Sequence, residues 1–583
     1  MQNFTSFAQF EIIYFFKANS MHRFLYITLI TVYILLSFNV RGQDVFLDCL
    51  DNELSKITNS FKSQELPPYF IDFRVNENKI TYLQYSYGNI VNDNKEHGRI
   101  MTLSIRVGNY NEDNTTLSGT EGYENYGSNS VSFHLPVEND SMAINQVVRQ
   151  EMDRIYKKVL QVYKSNINHK SDKSEKNDSV PAFSHEVPEK YAEPAFVNLI
   201  NDSLISKWKV LLKEVSDLFC SDTNIVKNDI TFIVSNERIY YLNSEGTKIV
   251  QNRPQFQLYI SSAITTDEKN PVPLFKSYVS RTIAELPDRK QLISDSKTML
   301  ETLHHLRKAP LAAPYAGPCI FSSEAAGVIF HEIFGHRIEG QRLKDKYDGQ
   351  TFLDKLGKKV LLDDLTIEFD PTIDEYKGLP LFGNYKFDDE GVKSQPVTVV
   401  KNGILKDFLM SRTPVKDHLK SNGHGRAQAG MAPFSRQSNL IVKFDQGESD
   451  ASLRKMLVKE CKKQKKTYGY YIKEVSGGYT NTMVFSPQMF NILPTVVYRV
   501  YVDGRPDELV RGVTFIGTPL AVFSEIIAHG NKYQVFNGFC GAESGSVPVS
   551  TVSPSLLIKK IETQKIPDLK VEMPLIPKPE YKQ

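Results

Sequence analysis

Few features of this chain settle its class at a glance. It has one Trp, Trp208, and five Cys in 583 residues, and its 70 Lys and Arg nearly cancel its 68 Asp and Glu, for a formal charge of +2. The cysteines, Cys49, Cys220, Cys319, Cys461 and Cys540, are odd in number and widely scattered, which does not read as a disulfide framework; sequence does not determine any pairing among them, and buried thiols are the default. The charge balance offers no field to draw in a polyanion, and no basic stripe interleaved with aromatics runs along the chain, so no nucleic-acid partner is expected. The densest basic run, Lys459 to Lys466, ends a helix expected to start near Asp450, where cations complement the helix dipole. No internal repeat is present, and no apolar run reaches the roughly 20 residues that a membrane-spanning helix needs.

The length predicts two or three domains, and 41% apolar content fits a soluble globular protein. Near the N-terminus, Met21, His22 and Arg23 precede an apolar run from Phe24 to Phe38, and Val40-Arg41-Gly42 suits signal-peptidase cleavage before Gln43. This pattern reads as a secretory signal peptide around 21–42, with translation starting at Met1 or Met21, and it predicts an exported, periplasmic protein. A membrane contact follows only if the leader is uncleaved.

Beyond the leader (1–42), the expected organisation is an N-terminal α+β domain (43–165), a polar linker or insertion (166–194), a central domain (195–308) and a C-terminal catalytic domain (309–583). Strand-like alternation runs from Pro68 to Val137, followed by a helix from Ser141 to about Ser165. The Lys-, Ser-, Glu- and Pro-rich stretch from Asn166 to Pro194 reads as exposed, with His169 and His185 solvated rather than ligating. Ile205, Trp208, Leu212, Val215 and Phe219 recur at helical spacing, so the Trp belongs to a core face. Strands around Ile230–Val234 and Phe256–Ile260 enclose the turn Asn243-Ser244-Glu245-Gly246. A helix is expected from Asp295 to Arg307; its adjacent His304 and His305 point about 100° apart and make a poor pair for one ion. After Pro310, one helix from Ser323 to about Leu343 precedes many strands, with Asn402-Gly403 and Asp503-Gly504 as hairpin signals. The fold class is α+β, with a β-rich C-terminal region carrying that helix.

The helix contains His331-Glu332-Ile333-Phe334-Gly335-His336. Two imidazoles and a carboxylate supply two zinc ligands and a general base. The common zincin spacing is H-E-x-x-H, with both His on one helix face. Here the interval is one residue longer, which on a regular helix leaves the imidazoles about 140° apart. A π-bulge, or a helix broken at Gly335, is required to bring them to one ion. A third ligand must come from elsewhere, and Cys540, in Phe539-Cys540-Gly541-Ala542-Glu543-Ser544-Gly545, is the outstanding candidate: a thiolate in a glycine-flanked loop.

Several motifs agree in chain order with one family. Gly317-Pro318, Ala325-Ala326 and the H-E-x-x-x-H run, then Asp389-Glu390-Gly391, Gly423-His424-Gly425-Arg426, Gly477-Gly478, Arg511 to Gly517, and Cys540-Gly541 followed by Ser546 to Val549 resemble the TldD/PmbA zinc metallopeptidases, also called modulators of DNA gyrase. Upstream, Asn243 to Gly246 resembles the family's N-S-x-G turn. The resemblance implies zinc held by His331, His336 and Cys540, with Glu332 as general base on a zinc-bound water. It also implies flexible, unstructured peptides as substrates and a homodimer or a heterodimer with a zinc-less paralogue. Because the chain retains all four residues, it resembles the catalytic, TldD-like member. His424, Arg426 and His529 are candidates for oxyanion stabilisation, each with a structural role as the competing reading. Two alternatives to a peptidase stand: a zinc amidase acting on envelope amide bonds, and a binding or scaffold protein with a structural zinc site.

Overall fold

Four unusually long strands, of 18 or 19 residues each, build most of the first sheet. The computed structural model describes residues 44–115, 129–170, 180–195, 201–345, 347–348, 350–484, 489–517 and 519–565. The expected leader and its expected cleavage region lie outside these. Residues 1–49 group as one unit and 50–583 as another; of the first only 44–49 are described, the start of a helix spanning Val45–Phe61. Among the described residues no helix is long and apolar enough to cross a membrane.

The N-terminal sheet has seven strands. Pro68–Ser86 pairs antiparallel with Asn89–Val107 on one side and with Ile225–Asn243 on the other. Lys248–Thr265 continues the sheet, so residues on both sides of the 166–194 stretch share one hydrogen-bonded ladder. That stretch is partly built in. The helix before it runs on to Lys170, and Lys190–Ala192 adds a parallel strand against Lys248–Val250. Ala182, Phe183 and Ser184 are buried there. Arg412 lies over the Phe183 ring at 4.1 Å, a contact with a distant residue that composition alone does not reveal. The helix Asp202–Cys220 covers one sheet face with Ile205, Trp208, Leu212, Val215 and Phe219, all buried, and Trp208 stacks on Phe232.

The C-terminal sheet has eleven strands and closes on itself. Its long last strand, Gly545–Lys565, pairs with both Val513–Gly517 and Tyr315–Phe321. The circuit runs from there through Tyr468–Thr480 and Phe490–Tyr501. Asn402-Gly403 forms the expected tight turn, with φ of 50° and 73°. Parallel pairing of Asn439–Phe444 with Gly545–Lys565 extends the sheet outward. The helix Ser323–Ile333 packs on the last strand and on Tyr468–Thr480, buried along almost its whole length.

The two sheets are joined by charged residues from the sequence motifs. Arg412 donates to both carboxylate oxygens of Glu245, in the Asn243–Gly246 turn, at 2.8 and 2.9 Å. Arg253 donates to Asp389 at 2.9 Å, and both partners are buried.

Candidate metal centre

Ser322 caps the site helix by accepting from the Ala325 N–H, which satisfies one of the free donors of the first turn. The α-helix ends at Ile333, not near Leu343. Gly335–Arg337 forms a 3-10 turn, and Gly340–Lys344 forms another. The break falls where the long interval between the histidines demands it, and Gly335 permits it by its lack of a side chain. A Cβ there would lie 1.9 Å from Gln437 Oε1, so only glycine lets that amide rest on the helix end. Arg337, fully buried, closes the end by donating to the carbonyls of Glu332 and Ile333 at 3.0 and 3.2 Å. It also donates to Thr480 Oγ1 and the Asn481 carbonyl, which pins the helix end to the neighbouring strand.

The turn brings His336 back beside His331, with ring centroids 5.0 Å apart and planes at 84°. Cys540 arrives from the strand Ile526–Ala542 and lies opposite Val547, close to the hairpin turn. The expected loop is therefore the end of a β-hairpin, whose paired backbone holds the thiol more firmly than a loop would. Cys540 Sγ is 3.5 Å from His336 Nε2. The ligand atoms of His331, His336 and Cys540 all lie within 4.8 Å of one another, and all three residues are buried.

The donor set suits zinc. A tetrahedral ion with bonds of about 2.0–2.3 Å places its ligands about 3.5 Å apart, the separation seen between Cys540 and His336. Burial alone would push the Cys540 thiol up. His336, then Arg436 and His331, outweigh it and hold the thiol well below its ordinary range, which favours the ligating thiolate. Glu332 lies with its Oε2 4.0 Å from His336 Nε2, and burial raises its pKa. Gly478 makes room for it: a Cβ there would lie 2.8 Å from Glu332 Cγ.

Four residues around the cluster were not singled out in the sequence. Glu339 accepts from His336 Nδ1 at 3.1 Å, and Arg342 backs Glu339. Arg436 donates to the Cys540 carbonyl at 2.5 Å, and Gln437 Nε2 donates to the His331 carbonyl at 3.3 Å. Glu339 and Arg342 follow His336 at three-residue steps, a signal that could have found them; Arg436 and Gln437 left none.

The three oxyanion candidates are engaged elsewhere. His424, pushed down to about 3 by burial, is neutral and sits 3.2 Å from Ser438 Oγ. Arg426 donates to the carbonyls of Gln437 and Pro548 at 2.5 and 2.8 Å. His529 stacks on Phe444 and lies 3.0 Å from Asp364. His304 faces Asp222 at 2.8 Å.

The profile of the PmbA/TldA metallopeptidase C-terminal domain matches residues 315–565, which include every member of the cluster. Residues 315–565 thus resemble that C-terminal domain of the PmbA/TldD family. A metalloprotease of Methanothermobacter thermautotrophicus is 27% identical over 337 residues, 58% of this chain and 69% of the relative. One from Archaeoglobus fulgidus is 32% identical over 41% of this chain and 51% of its own length. A protein named zinc metalloprotease TldD homolog, from Saccharolobus solfataricus, is 28% identical over 43% and 52%. The matched stretch thus spans about half of the latter two. Among solved structures, a putative modulator of a DNA gyrase from Thermotoga maritima superposes with a TM-score of 0.60 at 16% identity, over 88% of this chain and 100% of that one. TldE from Thermococcus kodakarensis gives 0.58 at 14%, over 88% and 99%. At such identities these two show a shared α+β fold.

Proposed function

We propose that the chain is an exported zinc-dependent peptidase that hydrolyses peptide bonds of unstructured peptides. The observation that carries the reading is the convergence of His331, His336 and the acidic Cys540 thiol beside the buried carboxyl of Glu332. His331, His336 and Cys540 would hold zinc, which supplies Lewis acidity towards a carbonyl oxygen and makes water more acidic. Glu332 takes the proton of the attacking water and returns it to the leaving amine. Burial raises the Glu332 pKa, which strengthens its carboxylate as the base for the first of these proton transfers.

An extended peptide fits the surroundings. From Glu474 to Thr480 the strand carrying Gly478 is paired only on its Phe490–Tyr501 side among the described residues. A peptide added along the other edge would be read by its backbone, beside Glu332. By the family resemblance, the working form is a homodimer or a heterodimer with a zinc-less paralogue. The export reading rests on His22, Arg23 and the apolar run Phe24–Phe38. Sequencing the N-terminus of the mature protein tests it; a chain starting at Met1 or Met21 would sink it.

Glu332→Gln decides between a peptidase and a structural zinc site. The variant keeps its zinc and loses about 10²–10⁴-fold in turnover of a flexible peptide mixture. Unchanged turnover, or no turnover by the zinc-loaded wild type, overturns the proposal.

A further inference from the structure

The two ligand-bearing segments are also connected behind the ligands. Glu339 is fully buried, three residues after His336. One oxygen, Oε2, meets both His336 Nδ1 at 3.1 Å and Arg342 Nε at 2.8 Å. Arg342 then crosses to the other segment: its Nη1 and Nη2 each donate at 2.7 Å to one oxygen of Glu543, in the turn of the Cys540 hairpin. Asp348 accepts from the same guanidinium at 2.8 Å. Arg436 makes a second crossing. Its Nε lies 3.6 Å from Glu339 Oε1, while its other nitrogens donate to the Cys540 carbonyl, Ser544 Oγ and the Gly545 carbonyl.

We propose that Glu339 is a positioning residue for the metal centre, and that the bridge Glu339–Arg342–Glu543 sets the spacing between the His336 turn and the Cys540 hairpin. Two physical consequences follow. With Nδ1–H donated to Glu339, His336 is held in the tautomer whose Nε2 lone pair faces Cys540. The bidentate arginine pair has a fixed planar geometry, so it transmits a distance and an angle as well as attraction. A buried ion-pair chain of this kind is weak evidence for stability and better evidence for positional specificity. It joins segments separated by 201 residues, which no local preference holds together.

The inference rests on the zinc reading of His331, His336 and Cys540, and zinc titration separates the two. The metal-free full chain is titrated with zinc against a competing chelator for wild type, Glu339→Gln and Glu543→Gln. Each is also loaded with Co²⁺, whose visible spectrum reports ligand geometry and the thiolate bond. Zinc affinity is expected to fall about 10–100-fold in Glu339→Gln and in the same direction, by less, in Glu543→Gln, with altered cobalt bands in both. Glu543 is partly exposed, so its variant decides the matter if Glu339→Gln fails to fold. Wild-type affinity and cobalt spectrum in folded variants overturn the positioning role, even if their Tm falls. A wild type that binds no zinc overturns this inference and the zinc reading together; a wild type that binds it beside unchanged variants overturns this inference alone.

Discussion

Among the described residues, two buried polar clusters that carry motif residues differ in what their side chains face. In Asp388-Asp389-Glu390 the carboxylates are committed. Asp388 accepts from the backbone N–H groups of Glu390, Val392 and Gly425 at 2.9–3.0 Å. Asp389 accepts from Arg253 and from the Ala427 N–H, and Glu390 accepts from the Arg412 N–H at 2.6 Å. Around His331, His336 and Cys540 the fixed partners stand behind the ring or on the backbone, and the ligand atoms face one another. Burying polar groups is costly unless they are bonded. The first cluster meets that cost with protein partners and joins two sheets; the second leaves a set of donor atoms converging on one another, the arrangement that the zinc proposal rests on.

The contrast can be broken at either end. The largest effect is expected for Cys540→Ala, which should lose zinc and peptidase turnover together, as measured by metal analysis of the purified protein; full zinc and activity would remove Cys540 from the ligand set. Arg253→Ala strands a buried Asp389 carboxylate and should destabilise the fold by about 3–5 kcal/mol in urea unfolding, while any folded fraction keeps its zinc. Gly478→Ala pushes first on Glu332, at 2.8 Å, and then on the Asn491 carbonyl and Ile492, at 3.0 and 3.1 Å. Its kcat should fall about 100-fold with zinc content unchanged, since displacement by about 1 Å is that damaging to a reacting group.

The smallest effect separates the clusters by pH in the metal-free protein. Glu339 is pushed down to about 2 from 4.5: burial acts upward, but His336 and Arg342 prevail. Its stabilisation is present above pH 4.5 and is lost as pH falls towards 2. Glu390 is pushed up to about 7, chiefly by burial, so its contribution is present below pH 4.5 and lost as pH rises towards 7. Glu390→Gln should therefore flatten the decline between pH 4.5 and 7 by about 1–3 kcal/mol in urea unfolding, without touching the acid limb. An undiminished decline in that variant would show that Glu390 does not titrate in this range.

Much of the fold was legible because it is local. The face from Ile205 to Phe219, the Asn402-Gly403 turn and the helix after Ser449 follow from spacing and capping within a few residues. The 166–194 stretch was harder to read, because its burial depends on Arg412, more than two hundred residues on. Cys540 was found without a spacing rule because a lone thiol among glycines is rare chemistry, whereas Gln437 is one polar residue among many.

By itself the sequence determined the chemistry available to this protein: two imidazoles, a carboxylate and a thiol, with an interval between the histidines that no regular helix can close. Tertiary structure decided the rest. The helix breaks where Gly335 accepts the Gln437 amide from 102 positions away, and Cys540 reaches His336 across 204 residues of chain. Local propensity carries no information over such separations. Only the packing of the closed sheet, with its buried arginines tying hairpin to helix, brings those atoms to one point.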